Sequence, residues 1–352
     1  MIAAVYHGPN DLQLESRPTP PITVHEALLR VASASICGTD LRIVQGGHRM
    51  YPPGTVRIPG HEMAGTIAAV GARVEGIHPG LAVFVAPNIG CEHCRHCLAG
   101  HNNLCENLQA IGITMDGAFA DYVRIPEAAL RQGCVIPLEP EADLSIAPLI
   151  EPLACVLRGQ DSISVGKDDL LLILGAGPIG IMHMLVARTR GVSRILMSEV
   201  SPERMALART LGADLVIDPL KDELARVVAD ETQGKGVDAT IVAASVPELQ
   251  ECAPALTRVG GRICFFGGLP NDRPFIRLDS NLVHYRELVI AGTTGSSTQD
   301  CRRAAELFTS GRIPLGRLVG ARFPLAQADE AFIAARDRQS LKVMLDPMGS
   351  SE

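Results

Sequence analysis

Residues 169–180 read DLLLILGAGPIG, an apolar run that breaks into a glycine-rich turn and resumes as the helix-periodic PIGIMHMLVARTRG, which stops at Gly191. LLLIL reads as a buried strand, and Gly175, Gly177 and Gly180 stand in G-x-G-x-x-G spacing between it and the helix. The three glycines serve different ends. Gly175 permits the tight turn, Gly177 lets backbone approach a pyrophosphate, and Gly180 allows the helix to pack closely on the strand. The pyrophosphate would sit on the helix N-terminus, where N–H groups have no partner. Glu199 ends the next strand, RILMSEV, 19 residues past Gly180. A carboxylate there would accept the adenosine ribose hydroxyls and repel a 2′-phosphate, which favours NAD over NADP. The candidate cofactor residues are Gly175, Gly177, Pro178, Ile179, Gly180, Glu199 and Arg204.

The texture downstream supports this reading. SPERMALARTLG follows as a helix opened by Ser201 and Pro202, and ADLVIDP, VDATIVAA, GRICFFGG and ELVIAGTTG continue the series of strands. Strands alternating with helices predict a doubly wound parallel sheet. Residues 1 to about 150 differ. Glycine and proline punctuate short β-branched runs such as EALLRVASASI, AGTIAAVG and LAVFVAP, the pattern of an irregular, mostly β domain. A helix, TQDCRRAAELFTSG, and a last segment, SLKVMLDP, are expected to return to that first domain. The expected division is residues 1–152 with 296–352 in one domain, and 153–295 in the nucleotide-binding domain.

Bulk properties exclude several function classes. The net charge of −7, from 39 acids against 32 bases, argues against a nucleic-acid binder. No apolar run approaches the ~18 residues of a membrane helix, and MIAAVYHGPNDLQLE does not read as a signal peptide. Ten cysteines without a secretion signal suggest a reducing, cytoplasmic setting with thiolates free for metal.

Two sets of metal-ligating side chains are present. CGTD supplies Cys37 and PGHEMAG supplies His61 and Glu62, a Cys, His and carboxylate combination that a catalytic zinc uses with one position open. Glu151, in LIEPLAC, stands where the first domain gives way to the second. The second set is CEHCRHCLAGHNNLC, residues 91–105, within an expected lobe over about 88–106. A catalytic metal, a structural metal, a disulfide knot and a nucleic-acid-binding ribbon all use such residues.

The run GHEMAGTIAAVGARV resembles the zinc-containing medium-chain alcohol dehydrogenase pattern G-H-E-x-x-G-x-x-x-x-x-G-x-x-V at Gly60, His61, Glu62, Gly65, Gly71 and Val74. CGTD, the four-cysteine stretch and GAGPIG fall in the family's order and spacing, so the resemblance covers essentially the whole chain. Glu62 and the EPL at Glu151 resemble the polyol (sorbitol-like) and threonine dehydrogenase branch, in which these carboxylates join Cys37 and His61 around zinc. The resemblance implies a GroES-like catalytic domain, a Rossmann NAD-binding domain and a homotetramer or homodimer. It also assigns Thr39 the hydroxyl that takes the substrate proton. Zinc lowers the pKa of a bound hydroxyl, as it does for water, from about 15.7 to about 7 at some sites.

Cys91, Cys94, Cys97 and Cys105 can close a tetrahedral zinc completely and leave no place for substrate, so this centre reads as structural. The cytoplasmic setting disfavours disulfides, and ferredoxin runs place Cys and Pro differently. His93, His96 and His101 read as solvated.

Departures narrow the substrate. Arg42 stands where many members have a relay histidine, leaving His48 or water as the proton exit. Gly295 and Ser296 replace the Arg–Tyr pair of sorbitol dehydrogenases, and Gly80-Leu81 replaces the usual Gly-Asp. The expected activity is zinc- and NAD-dependent oxidation of a secondary hydroxyl, on a small polyol or related hydroxy compound, to a ketone, with about two zinc ions per chain. The alternatives are an L-threonine or amino-polyol (inosamine-like) dehydrogenase and a non-enzymatic, crystallin-like relative. Retention of Cys37, His61, Glu62 and Glu151 argues against the last.

Overall fold

Two kinds of backbone pattern separate the chain into two compact units, one of Met1–Ala154 with Gly295–Glu352 and one of Cys155–Thr294. The computed structural model describes residues 1–337 and 340–347. Among them no helix is long and apolar enough to cross a membrane.

The second unit is a six-stranded parallel sheet. Its strands in spatial order are Leu215–Ile217, Arg194–Ser198, Leu170–Leu174, Val237–Val242, Thr257–Phe265 and Val289–Gly292. In chain order this is 3-2-1-4-5-6, so direction reverses beside Leu170–Leu174, the position where doubly wound sheets bind ligands. Leu171–Leu174 are fully buried, as a central parallel strand covered on both faces requires. Leu172, Leu174, Leu196, Val242, Leu256 and Ile263 belong to one buried apolar cluster. The glycine-rich turn leads into the helix Pro178–Thr189, with Pro178 in the first turn and Gly191, at φ +79°, just past its end. The helix Pro202–Thr210 is opened by Ser201, whose side chain accepts the Arg204 N–H.

The first unit is built on a mostly antiparallel sheet. The order is Val319–Pro324, Lys342–Asp346, Ala27–Ser35, Glu62–Val70, Ala82–Val85 and Val135–Pro137, and Tyr122–Ile125 also pairs with Ala27–Ser35. The runs EALLRVASASI, AGTIAAVG and LAVFVAP all supply strands of this sheet. Its register decides what meets in the middle, because Ser35 stands opposite both Glu62 and Met344. A short helix, Gly38–Val44, follows directly, burying Asp40 and Ile43, leaving Thr39 half-buried and exposing Arg42. Seven residues are too few to show helical periodicity in sequence, and the helix is marked only by its first-turn chemistry. The helix Thr298–Thr309 begins with a reciprocal cap, in which Ser297 and Asp300 each accept the other's backbone N–H.

Candidate metal centres and cofactor loop

Cys37 caps the Gly38–Val44 helix, and its N–H donates to Asp40 Oδ2 at 2.8 Å. The other Asp40 oxygen lies 3.2 Å from His61 Nδ1, close enough for an ion pair but not aligned as a hydrogen bond. A carboxylate facing Nδ1 favours a proton there and leaves Nε2 as the nitrogen open to a metal. Burial pushes the His61 imidazolium down, but Asp40 and the Cys37 thiol outweigh it and hold its pKa well above the ordinary value.

Glu62 is fully buried at the start of its strand. Ser35 Oγ and Lys342 Nζ both donate to Glu62 Oε2, and Lys342 Nζ also donates to Ile36 O at 3.2 Å. Oε1 is buried without a hydrogen-bond partner. A buried, unsatisfied carboxylate oxygen is costly unless a cation faces it. The Cys37 sulfur, a His61 ring nitrogen and a Glu62 oxygen lie within 4.8 Å of one another. This thiolate, imidazole and carboxylate set fits zinc. Glu151 is buried in the first turn of the helix Ile150–Ser162 and is not a member of that group of three. It acts on the same lysine: burial opposes the Lys342 ammonium, while Glu62, Cys37 and Glu151 together raise its pKa. Thr39 lies half-buried one helical position before Asp40.

The second cluster unites Cys91, Cys94, Cys97 and Cys105, whose sulfurs also lie within 4.8 Å of one another. None is in a disulfide. Backbone amides point at the sulfurs: Cys91 N to Cys105 Sγ at 3.2 Å, Cys94 N to Cys91 Sγ at 3.4 Å and Asn107 N to Cys105 Sγ at 3.3 Å. Such bonds favour thiolates, although burial outweighs them at Cys97 and Cys105 and raises those two pKa values. The Cys97 N–H is the main cause that lowers the Cys94 pKa to about 6. Four sulfurs around one point fit a closed tetrahedral zinc. The lobe is anchored by Gln132, which exchanges two hydrogen bonds with Gly90, and by Asn102, which bonds Asn88 and Thr298. His93 and His101 are exposed and His96 half-buried, all outside the sulfur cluster.

In the glycine-rich loop, Gly175 has φ +105°, and a Cβ on Gly180 would stand 1.9 Å from Gly175 O. No side chain fits at Gly180. A Cβ on Gly177 would meet only Arg204 Nη1, at 3.8 Å, so this backbone is open to a ligand. No side chain caps the helix it opens. A bare helix N-terminus beside an open glycine and an arginine fits a pyrophosphate. Glu199 is buried and already engaged: Oε2 accepts from Ala176 N at 2.8 Å, and Oε1 accepts from Val200 N at 2.8 Å and Ser201 N at 3.0 Å. Its carboxylate therefore pins the glycine loop to the following turn, and only the remaining lone pairs can reach a ribose.

Three residues at the first centre escape sequence reasoning: Asp40, Ser35 and Lys342. Asp40 had a signal, since an acid three residues after the Cys37 cap is a capping position. Lys342 had a weaker one, a lone cation at the head of the apolar run VML in the strand KVMLD.

Comparison with known proteins agrees with this geometry. Residues 23–136 match the alcohol dehydrogenase GroES-like domain, and residues 178–310 match the zinc-binding dehydrogenase domain. The chain is 30% identical over 341 residues to an L-threonine 3-dehydrogenase of Rhizobium johnstonii, covering 96% of this chain and 95% of that protein. A Sinorhizobium meliloti structure described as a zinc-binding dehydrogenase bound to NADP superposes with TM-score 0.91 and 29% identity, over 98% of this chain and 99% of that one. The 2R,3R-butanediol dehydrogenase of Bacillus subtilis superposes with TM-score 0.89 and 25% identity, over 98% and 99%. The chain belongs to the zinc-containing medium-chain alcohol dehydrogenase family, and is an NAD(P)-dependent oxidoreductase with a GroES-like and a Rossmann-type domain.

Proposed function

We propose that the protein oxidises a secondary hydroxyl of a small polyol or related hydroxy compound to a ketone, with NAD as acceptor. The observation that carries the reading is the partnerless, buried Glu62 Oε1 beside Cys37 and His61, a donor set that a structural protein has no reason to keep. Cys37, His61 and Glu62 would hold zinc, with Glu151 as the further carboxylate carried over from the family. Zinc supplies Lewis acidity when bound and lowers the pKa of a hydroxyl placed at its open position.

The chain's own residues do the rest. Asp40 orients His61 and fixes its tautomer. Lys342 and Ser35 hold one Glu62 oxygen and leave the other to the metal. Thr39 receives the substrate proton on its hydroxyl and passes it on, to water or to His48, because Arg42 stays protonated and cannot shuttle. Backbone at Gly177, Ile179 and Gly180 receives the pyrophosphate, with Pro178 setting the helix start and Arg204 flanking it. The free lone pairs of Glu199 meet the ribose and disfavour a 2′-phosphate. Cys91, Cys94, Cys97 and Cys105 hold a structural zinc. A homotetramer in the cytoplasm completes the proposal.

The test is NADH formation by zinc-loaded enzyme on a panel of polyols and hydroxy compounds. Turnover of at least one, lost in Cys37→Ala, is expected; no turnover with either NAD or NADP would refute the reading. A second reading, L-threonine oxidation, is supported by the 30% identity to the Rhizobium enzyme over 96% of this chain, and the same panel includes L-threonine.

A further inference from the structure

The exposed face of the Gly38–Val44 helix carries a charge that the reaction so far described leaves unused. Arg42 lies three residues after Thr39, and residues so spaced stand side by side with Cβ atoms about 5–6 Å apart. Cys37, a proposed zinc ligand, caps the same helix. Arg42 is therefore a neighbour of the oxidised hydroxyl's expected position. The chain then folds back: Gly47 N donates to Arg42 O at 2.9 Å, and a Cβ on Gly47 would stand 3.4 Å from the Arg42 Cγ. This return brings His48 and Arg49 toward the helix. Tyr51 anchors the segment, donating its hydroxyl to Gly112 O at 2.9 Å and meeting the His48 ring edge-on at 6.1 Å.

Arg42 and Arg49 are both exposed, and neither forms an ion pair or a side-chain hydrogen bond with a described residue. Acids are not scarce, with 39 in the chain against 32 bases, and Arg131, Arg188 and Arg262 all have partners among them. Asp40, two residues before Arg42 in the chain, is buried and does not pair with it: one oxygen accepts from Cys37 N and the other faces His61. Both arginines act on His48. Burial lowers the pKa of His48, Arg42, Arg49 and His61 lower it further, and only Asp40 opposes them.

We propose that Arg42, reinforced by Arg49, binds a negatively charged oxyacid group, a carboxylate or a phosphate, on the substrate whose hydroxyl is oxidised at the Cys37, His61 and Glu62 centre. This rests on the dehydrogenase reading above and narrows it, since a neutral polyol has nothing for these guanidinium groups to hold. A guanidinium presents paired N–H donors that match both oxyacid groups, and such charge-assisted bonds are strong.

Matched pairs decide it: 3-hydroxybutyrate against its amide, L-threonine against its amide, and an alditol phosphate against the alditol. Each is assayed with NAD on zinc-loaded enzyme and titrated into it by calorimetry. The charged member of the carboxylate or the phosphate pairs should lead by about 10- to 100-fold in kcat/KM, and which pair does so names the group. In Arg42→Ala that ratio should fall toward one, through KM for the charged substrate rather than KM for NAD, and Arg42→Lys should keep part of it. Equal kcat/KM and equal Kd for charged and neutral members in every pair overturn the proposal while leaving the dehydrogenase reading standing. So does an Arg42→Ala defect confined to KM for NAD. If no pair is turned over with NAD or NADP, the dehydrogenase reading fails, and the calorimetric ratio in wild type and Arg42→Ala still decides whether Arg42 binds the anion.

Discussion

Replacing Lys342 by methionine keeps most of the apolar stem and removes the ammonium, with its hydrogen bonds to Glu62 Oε2 and Ile36 O. The ammonium is buried, and so is the Glu62 carboxylate it serves, with relative exposures of 5% and 0%. Removing one partner of a buried ion pair strands the other, at a cost of about 3–5 kcal/mol. Glu151 and Cys37 also lean on the Lys342 charge, which places the expected loss in the upper part of that range. The stranded carboxylate is the cause, so adding Glu62→Gln should recover about 2 kcal/mol or more, and the double variant should be more stable than Lys342→Met alone. Zinc loading should also narrow the gap, because the metal replaces the missing cation at Glu62. Guanidinium unfolding followed by circular dichroism, on metal-depleted and zinc-loaded protein, reads all three comparisons. A metal-depleted Lys342→Met protein within about 1 kcal/mol of wild type would refute the argument, as would a double variant carrying the summed losses of both singles.

Other outcomes follow from the same structure. His183 is fully buried against Phe266, and burial, aided by Arg190, pushes its pKa from 6.5 down to about 3. The unfolded chain then binds the proton more readily, so stability is intact above pH about 6.5 and falls as pH drops toward 3, by about 2 kcal/mol at pH 5. His183→Leu should remove that part of the slope, and an unchanged slope in urea titrations at several pH values would contradict it. Glu199→Ala frees the Ala176, Val200 and Ser201 N–H groups, so it should raise KM for NAD and loosen the loop by about 1–3 kcal/mol rather than simply admit NADP. A variant with normal NAD affinity would refute the pinning role. Thr39→Val should lower kcat far more than His48→Ala, and near-normal turnover would end the proposed proton path.

What was legible in the sequence is what is local. The glycine spacing forecast the turn because Gly180 is dictated by an oxygen five residues away, and the four cysteines fall within fifteen residues. All six strands of the second unit's sheet were readable from apolar runs, but in the first unit only Ala27–Ser35, Glu62–Val70 and Ala82–Val85 were, and Tyr122–Ile125, Val135–Pro137 and Val319–Pro324 were not. The Lys342 support of the first centre was not readable, because it depends on pairing across the chain. Lys342 and Glu62 are 280 residues apart and meet only because two strands flank Ala27–Ser35. Glu199 shows a different limit. Its position was readable, but three backbone amides that occupy its oxygens appear only once the loop is folded.

Metal content measured beside turnover tests the central claim most directly. Fully active wild type should hold about two zinc ions per chain, and Cys37→Ser should hold about one with NADH formation abolished and its fold kept. Cys94→Ser should lose the other ion and melt at a lower temperature. Fully active protein with a single zinc per chain, or a Cys37→Ser variant that still turns over, would contradict the account.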